Sequence, residues 1–348
     1  MAAVLQVAPA EARTEKSIVI EIRGLYKYYG QNRAVGPIDI QVKPGEIVGL
    51  LGENGAGKTT TLRILACDLL PTSGSVSVDG FDVVDNPSAV RARVGYLPDT
   101  PPLYPEMTVR EYLTFAARLK GVKQAAAPGR VTRAAEQTAL SDRLDQVIGT
   151  LSHGYRQRVG IAQAIVHDPK FVVLDEPISG LDPRQIVEMR HLIRSLAGER
   201  TVLISSHILS EISQTCDRLL VIRDGVIVAD DSEQSIVNQT LGGMRLALCV
   251  SGINQADLKQ LLHAVEGLEV VSLSVEGDVL RAELRVPGDL RARIARLVVE
   301  AGVDLLELGR SEHELESVFM RLAEGSDYAN AARQPEQAAE QAAHQGGR

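Results

Sequence analysis

The chain has 348 residues, 45% of them apolar and 24% charged, enough for one large domain plus a smaller one of ordinary globular composition. Its net charge of −8 excludes a broad basic footprint, so no nucleic-acid partner is expected. Three scattered cysteines exclude a disulfide framework, with Cys67 and Cys216 expected as small buried hydrophobes, and no apolar run approaches the roughly 20 residues that span a bilayer.

Residues 1–16 read as a flexible lead-in. Glu11 and Glu15 interrupt its short apolar stretch, which has no basic start and so lacks the form of a secretion signal. From Ser17 short strands begin. Ile18, Ile20 and Ile22 alternate with other residues, as do Ile38, Ile40 and Val42, then Val76 and Val78 before the turn at Asp79-Gly80. This period of two predicts a half-exposed antiparallel sheet. Ile47–Leu51, Phe171–Leu174 and Val202–Ile204 are instead continuous apolar runs, each followed by a polar loop, which predicts buried parallel strands with function at their carboxyl ends. The stretch between the first two is mostly helical. Thr108 and Glu111 have capping-box spacing ahead of Tyr112, Leu113, Phe115, Ala116 and Leu119, and Gly121 ends that helix. Pro128-Gly129 marks a break before another helix.

After about Thr240 the rhythm changes to strand 244–250, helix 255–264, strand 268–275, strand 279–286, helix 289–301, strand 303–308 and helix 312–322. That βαββαβ order predicts a small α+β domain, 243–323, similar to a ferredoxin-like sandwich. Residues 324–348, rich in Ala, Gln and Glu, read as a disordered tail.

Chemistry concentrates at the strand ends. Gly52, Glu53, Asn54, Gly55, Ala56, Gly57, Lys58 and Thr59 fit the phosphate-binding loop, between a buried strand and a helix carrying Leu62, Leu65 and Leu69. Glycines let successive amides point at phosphate oxygens, and the helix start adds partial positive charge. Lys58 would neutralise the β- and γ-phosphates, the Thr59 hydroxyl would ligate magnesium, and Thr60 stands with the nucleotide-binding residues. Asp175 and Glu176 end the second buried strand. The first is placed to hold magnesium, and the second to orient and partly deprotonate the attacking water.

With these two motifs, Leu151-Ser152-His153-Gly154-Tyr155-Arg156-Gln157-Arg158 resembles the signature segment of the ATP-binding cassette (ABC) family. The resemblance covers about residues 17–235, and its domain is drawn at 17–238. It implies a P-loop NTPase core of the α/β class, with a parallel sheet, an antiparallel β subdomain and an α-helical subdomain. In that family Ser152 and Gly154 would contact the γ-phosphate bound by another subunit; His153 and Tyr155 depart from the commonest form. Ser179-Gly180-Leu181-Asp182 resembles the D-loop and His207 the switch histidine. Tyr29 resembles the aromatic that stacks on adenine, with Tyr26 and Tyr28 as rivals. Asp99 stands where the family carries Gln, and ranks below Thr59 and Asp175 as a metal ligand because an ionised carboxylate cannot donate. The resemblance looks closest to subunits serving export permeases. It implies ATP and Mg2+, a homodimer or a pair with a related cassette, and an integral-membrane permease holding the chain at the cytoplasmic face. One cassette, acidic charge and no long heptad segment weigh against a soluble ATPase acting on ribosomes or nucleic acid. Retention of Glu176 and His207 weighs against a non-hydrolysing regulator.

Overall fold

The computed structural model describes residues 19–232, 235–236 and 244–311; the expected lead-in, the helix 312–322 and the tail lie outside them. Its strands are β1 (Ile20–Tyr29), β2 (Asn32–Val42), β3 (Ile47–Leu51), β4 (Ser73–Val78), β5 (Phe81–Asp82), β6 (Val94–Leu97), β7 (Phe171–Leu174), β8 (Thr201–Ser206), β9 (Arg218–Arg223), β10 (Val226–Asp231), β11 (Met244–Ser251), β12 (Glu269–Glu276), β13 (Val279–Val286) and β14 (Asp304–Arg310). Its helices are α1 (Lys58–Leu65), α2 (Pro87–Arg93), α3 (Val109–Leu119), α4 (Ala127–Gln137), α5 (His153–Ile165), α6 (Pro183–Leu196), α7 (Leu209–Ser213), α8 (Gln255–Leu262) and α9 (Arg291–Glu300).

The chain folds as two compact units. One comprises the chain up to Ile47 with Thr59–Ile204, and the other comprises Val48–Lys58 with the chain from Ser205 onward.

In the first unit the alternating residues form the antiparallel sheet β2-β1-β4-β5, with Ile20 opposite Val42 on one side and Val78 on the other. The apolar run Phe171–Leu174 forms β7, parallel to β6 and β8 and buried at every residue. A strand covered on both faces must be apolar throughout, and each fully buried Val, Leu or Phe contributes about 1.5–3 kcal/mol. Helix α5 packs closely on β6, because a Cβ at Gly95 would lie 2.0 Å from the Ala164 carbonyl oxygen. Helix α3 starts at the expected capping box: the Glu111 amide donates to Thr108 Oγ1 at 3.2 Å, and the Thr108 amide donates to Glu111 Oε2 at 2.8 Å. It ends in a Schellman turn, with Gly121 at φ +84° and the Val122 amide bonded to Ala117 O.

Two local expectations change. Pro128 and Gly129 lie inside the first turn of α4 rather than before it, where proline has no helical donor to lose. Helix α4 then ends in the same Schellman pattern with Ala139, at φ +54°, in the left-handed position. Cys67 and Cys216 are half-buried, and it is Cys249 that is buried.

In the second unit β3 is buried throughout and runs parallel to β9, which pairs antiparallel with β10. Gly49 leaves room for Ile212 and Cys216, which a Cβ would meet at 2.8–2.9 Å. The chain from β11 to β14 forms an antiparallel sheet in the order β12-β13-β11-β14, the split-βαβ arrangement expected from the element order. Met244, Leu246, Leu248 and Val250 of β11 meet Leu258 and Leu262 of α8 and Ile294 and Val298 of α9 in a core of their own.

Candidate functional site

The loop after β3, expected from its residues to wrap phosphate, lies in the second unit. Gly55 and Gly57 adopt φ +84° and +106°, a region closed to most side chains. At Gly52 a Cβ would lie 2.5 Å from the Ile222 carbonyl oxygen, so only glycine fits. Lys58 is 5% exposed, and its ammonium donates to the carbonyl oxygens of Gly52 at 2.8 Å and Glu53 at 3.2 Å. The loop is tied at both ends: the Gly52 amide donates to Ser206 O at 3.3 Å, and the Gly225 amide to Ala56 O at 3.0 Å. Glu53, Asn54 and Gly55 face solvent, whereas Ala56, Gly57 and Lys58 are buried. His207 follows at the end of β8, half-buried, in this same unit.

The remaining predicted residues lie in the first unit. Thr59 and Thr60 open α1, exposed and half-exposed. Asp175 is fully buried at the end of β7, its amide donating to Leu97 O at 2.9 Å. The next residue, Glu176, takes φ +48°, a left-handed conformation that costs a non-glycine residue about 1–3 kcal/mol. Tyr96 gathers this region. Burial, then the charges of Asp175 and Asp68, push its phenol above its ordinary value, with a smaller contribution from the exposed Asp99. Arg63 of α1 opposes that shift; its own guanidinium is raised by its hydrogen bond to Asp68, and to a lesser degree by Tyr29 and Tyr96. Tyr29, Arg63, Tyr96, Asp99 and Asp175 therefore share one electrostatic neighbourhood. Of the three candidate tyrosines, Tyr26 and Tyr28 stack on each other with centroids 6.3 Å apart, whereas Tyr29 is 48% exposed with the Lys27 ammonium 5.3 Å from its ring.

Asp175 provides a carboxylate in a dry site, Thr59 a hydroxyl and Asp99 an exposed carboxylate. Among the described residues no three His, Cys, Asp or Glu side chains cluster as a metal cage. That donor set fits magnesium, which takes one or two protein ligands and fills the rest of its octahedron with phosphate and water.

Ser152, Gly154 and Asp182 meet around a cleft of about 380 Å³, which Arg158, Gln185 and Glu188 also line. Ser152 is exposed at the start of α5, its hydroxyl accepting from the Tyr155 amide at 3.4 Å, while Gly154 is buried. A Cβ at Gly154 would lie 2.3 Å from Gln185 Oε1 of α6. Asp182 caps α6, its carboxylate accepting from the Gln185 amide at 3.0 Å. His153 lies against the loop before α6: a Cβ at Gly180 would be 3.4 Å from its Cε1. An exposed hydroxyl at the amino end of a 13-residue helix suits an anion.

Gln185, Arg63 and Tyr96 are the neighbours whose roles the sequence motifs do not reveal: Gln185 packs against Gly154 from another helix, and Arg63 and Tyr96 couple to Tyr29 and Asp175 through charge. The only signal for Gln185 is its place three residues after a helix-capping Asp.

The family model described as ABC transporter matches residues 35–179. The bacitracin transport ATP-binding protein BcrA of Bacillus licheniformis is 36% identical over 313 residues, covering 89% of this chain and 98% of that one. The Nod factor export ATP-binding protein I of Burkholderia orbicola is 35% identical, with coverage of 87% and 96%. The daunorubicin resistance ATP-binding protein DrrA2 of Streptomyces coeruleorubidus is 33% identical, with coverage of 87% and 94%. Among solved structures, an ATP-binding subunit of an ABC transporter superposes with a TM-score of 0.58 at 30% identity, over 64% of this chain and 93% of that one. The dimeric post-hydrolysis form of the cassette MJ0796, bound to ADP and Pi, shares the fold with a TM-score of 0.56 at 23% identity, over 61% of this chain and 98% of that one.

Proposed function

Because this chain belongs to the ATP-binding subunits of ABC transporters, a family of P-loop ATPases, we propose that it is the engine of an export transporter and clamps two ATP between paired subunits. The domains are proposed at 17–238 for the cassette and 243–323 for the accessory α+β domain. The observation that carries the clamp is an asymmetry in one chain. Lys58 is buried in a loop that already satisfies it, whereas Ser152 faces solvent at a helix start, its hydroxyl accepting a long bond from its own capping amide. The first is a complete cradle for a triphosphate, and the second is a donor waiting for an anion that another chain brings.

In this reading Gly52–Gly57 wrap the phosphates, Lys58 neutralises the β- and γ-oxygens, Thr60 adds a further contact, and Tyr29 stacks on adenine. Ser152 and Gly154 of the paired subunit close on the γ-phosphate, with Asp182 linking the two sites. Thr59 and Asp175 would hold magnesium, which supplies positive charge to the phosphates when bound; Asp99 is a lesser candidate. Glu176 orients the attacking water and takes its proton, and His207 meets the γ-phosphate. Closing the pair replaces water by fixed donors, and losing the γ-phosphate releases it. Among the described residues no helix is long and apolar enough to cross a membrane, which suits a subunit anchored through a separate permease. Three relatives are named for transport, export or drug resistance, which is what favours an export cargo here.

Light scattering on the Glu176→Gln variant tests the clamp. With saturating ATP and magnesium it should double in mass, and it should return to monomer on adding Ser152→Ala. A variant that stays monomeric throughout, and draws no second cassette from membranes, rejects the paired site.

A further inference from the structure

We infer that Ser206 is a positioning residue for ATP hydrolysis, fixing His207 relative to the phosphate loop through a buried hydrogen-bond node. The inference rests on the reading that His207 meets the γ-phosphate. Ser206 is the last residue of β8, adjacent to His207, and is itself buried. Three bonds converge on it within the second unit. Its carbonyl oxygen accepts from the Gly52 amide at 3.3 Å, its hydroxyl donates to Glu211 Oε2 at 2.9 Å, and its Oγ accepts from the Ile208 amide at 3.0 Å.

Each bond constrains a different neighbour. The first joins the end of β8 to the first residue of the phosphate loop. The second reaches α7, where Glu211 is buried and its carbonyl oxygen accepts from the Thr215 hydroxyl at 3.0 Å. The third closes a tight turn over His207 itself. The imidazole is thereby carried on a two-residue span clamped before and after by one side chain. Glu211 and Ser206 are both away from water, so an unmade bond between them leaves a buried polar group unsatisfied, and the turn would shift to recover one. A histidine that must meet a phosphate at hydrogen-bond distance tolerates little of that shift.

Phosphate release by the purified full-length chain tests this in five proteins: wild type, Ser206→Ala, Ser206→Thr, His207→Ala and the double variant Ser206→Ala/His207→Ala. Ser206→Ala should lower kcat by about 10- to 100-fold, the scale of a 1 Å misplacement, with KM for ATP within about two-fold. Ser206→Thr restores the hydroxyl and should recover most of the rate. The double variant should be no slower than His207→Ala alone, because both changes remove one interaction. Glu211→Ala attacks the node from its other side and should reproduce the kcat loss.

Wild-type kcat in Ser206→Ala beside an impaired His207→Ala overturns the inference and leaves the reading of His207 standing. Wild-type kcat in His207→Ala overturns that reading and the inference with it. Additive losses in the double variant, or a lowered melting temperature with unchanged kcat in both Ser206→Ala and Glu211→Ala, mark a merely structural pair and also overturn it.

Discussion

The phosphate loop and the segment around Ser152 are both glycine-containing turns leading into helices, yet they are built in opposite senses. The first is closed inward: Lys58 is buried, its ammonium already held by two carbonyls, and the loop is bonded at Gly52 to Ser206 and at Ala56 to Gly225. The second is open outward: Ser152 and His153 are exposed and the capping bond is long at 3.4 Å, although Gly154 behind them is packed away. A turn that supplies all its own constraints arrives preorganised for a ligand. A turn that leaves its best donor in water gains its constraint only from what docks on it. The contrast predicts different kinds of failure when each is altered.

The largest effect belongs to neither turn but to the acid that follows β7, beyond both of them in sequence. Glu176→Gln should slow phosphate release by about 10²- to 10⁴-fold while leaving ATP binding intact. Lys58→Met should weaken ATP binding about 10- to 100-fold in equilibrium titration, since charge-assisted hydrogen bonds contribute about 1.5–3 kcal/mol each. Ser152→Ala should leave that titration unchanged and reduce turnover about ten-fold through weaker pairing, seen as a concentration-dependent rate. If Ser152→Ala weakens binding to the isolated chain as much as Lys58→Met does, the inward–outward distinction is wrong.

Stability should show the same asymmetry on a smaller scale. At Gly52 an added Cβ meets a backbone carbonyl at 2.5 Å, whereas at Gly154 it meets the tip of a flexible glutamine at 2.3 Å. Gly52→Ala should therefore cost about 1–3 kcal/mol in chemical denaturation, and Gly154→Ala less than Gly52→Ala. The far end of the helix that Ser152 opens carries a pH-sensitive group. His167, just beyond α5, bonds to Val94 O at 3.2 Å, and burial, reinforced by Lys120, lowers its imidazole from 6.5 to about 4. Asp168 opposes that shift, and Arg130 adds to it. The unfolded chain takes the proton first, so this contribution is complete above pH 6.5 and declines as the pH falls toward 4. Melting temperatures at pH 7 and pH 4.5 should diverge less in His167→Gln than in wild type.

Much of this was legible in the residues. The runs Ile47–Leu51 and Phe171–Leu174 coincide with β3 and β7 because a strand covered on both faces admits no polar position. The capping box at Thr108 and the stop at Gly121 are local chemistry and were readable for that reason. Ala139 was not, because a left-handed alanine is held by its surroundings rather than by its own preference. Nor was β6, whose Val94–Leu97 is too short and mixed to announce a strand until it pairs with β7. The motif residues were visible as types at spacings, while their supports, Gln185, Tyr96, Ser206 and Glu211, act across elements and carry no local signature.

Glu176 bends the main chain the way glycine or asparagine would, at an expense that alanine-like residues share and those two largely escape. Replacing the acid by either one should therefore relieve the fold by about 1 kcal/mol while removing the group proposed to activate water. Random drift under a demand for sturdiness alone would erode this position. On the proposed role the acid serves turnover at a cost in stability, so a Glu176→Asn chain should melt later than wild type while losing phosphate release.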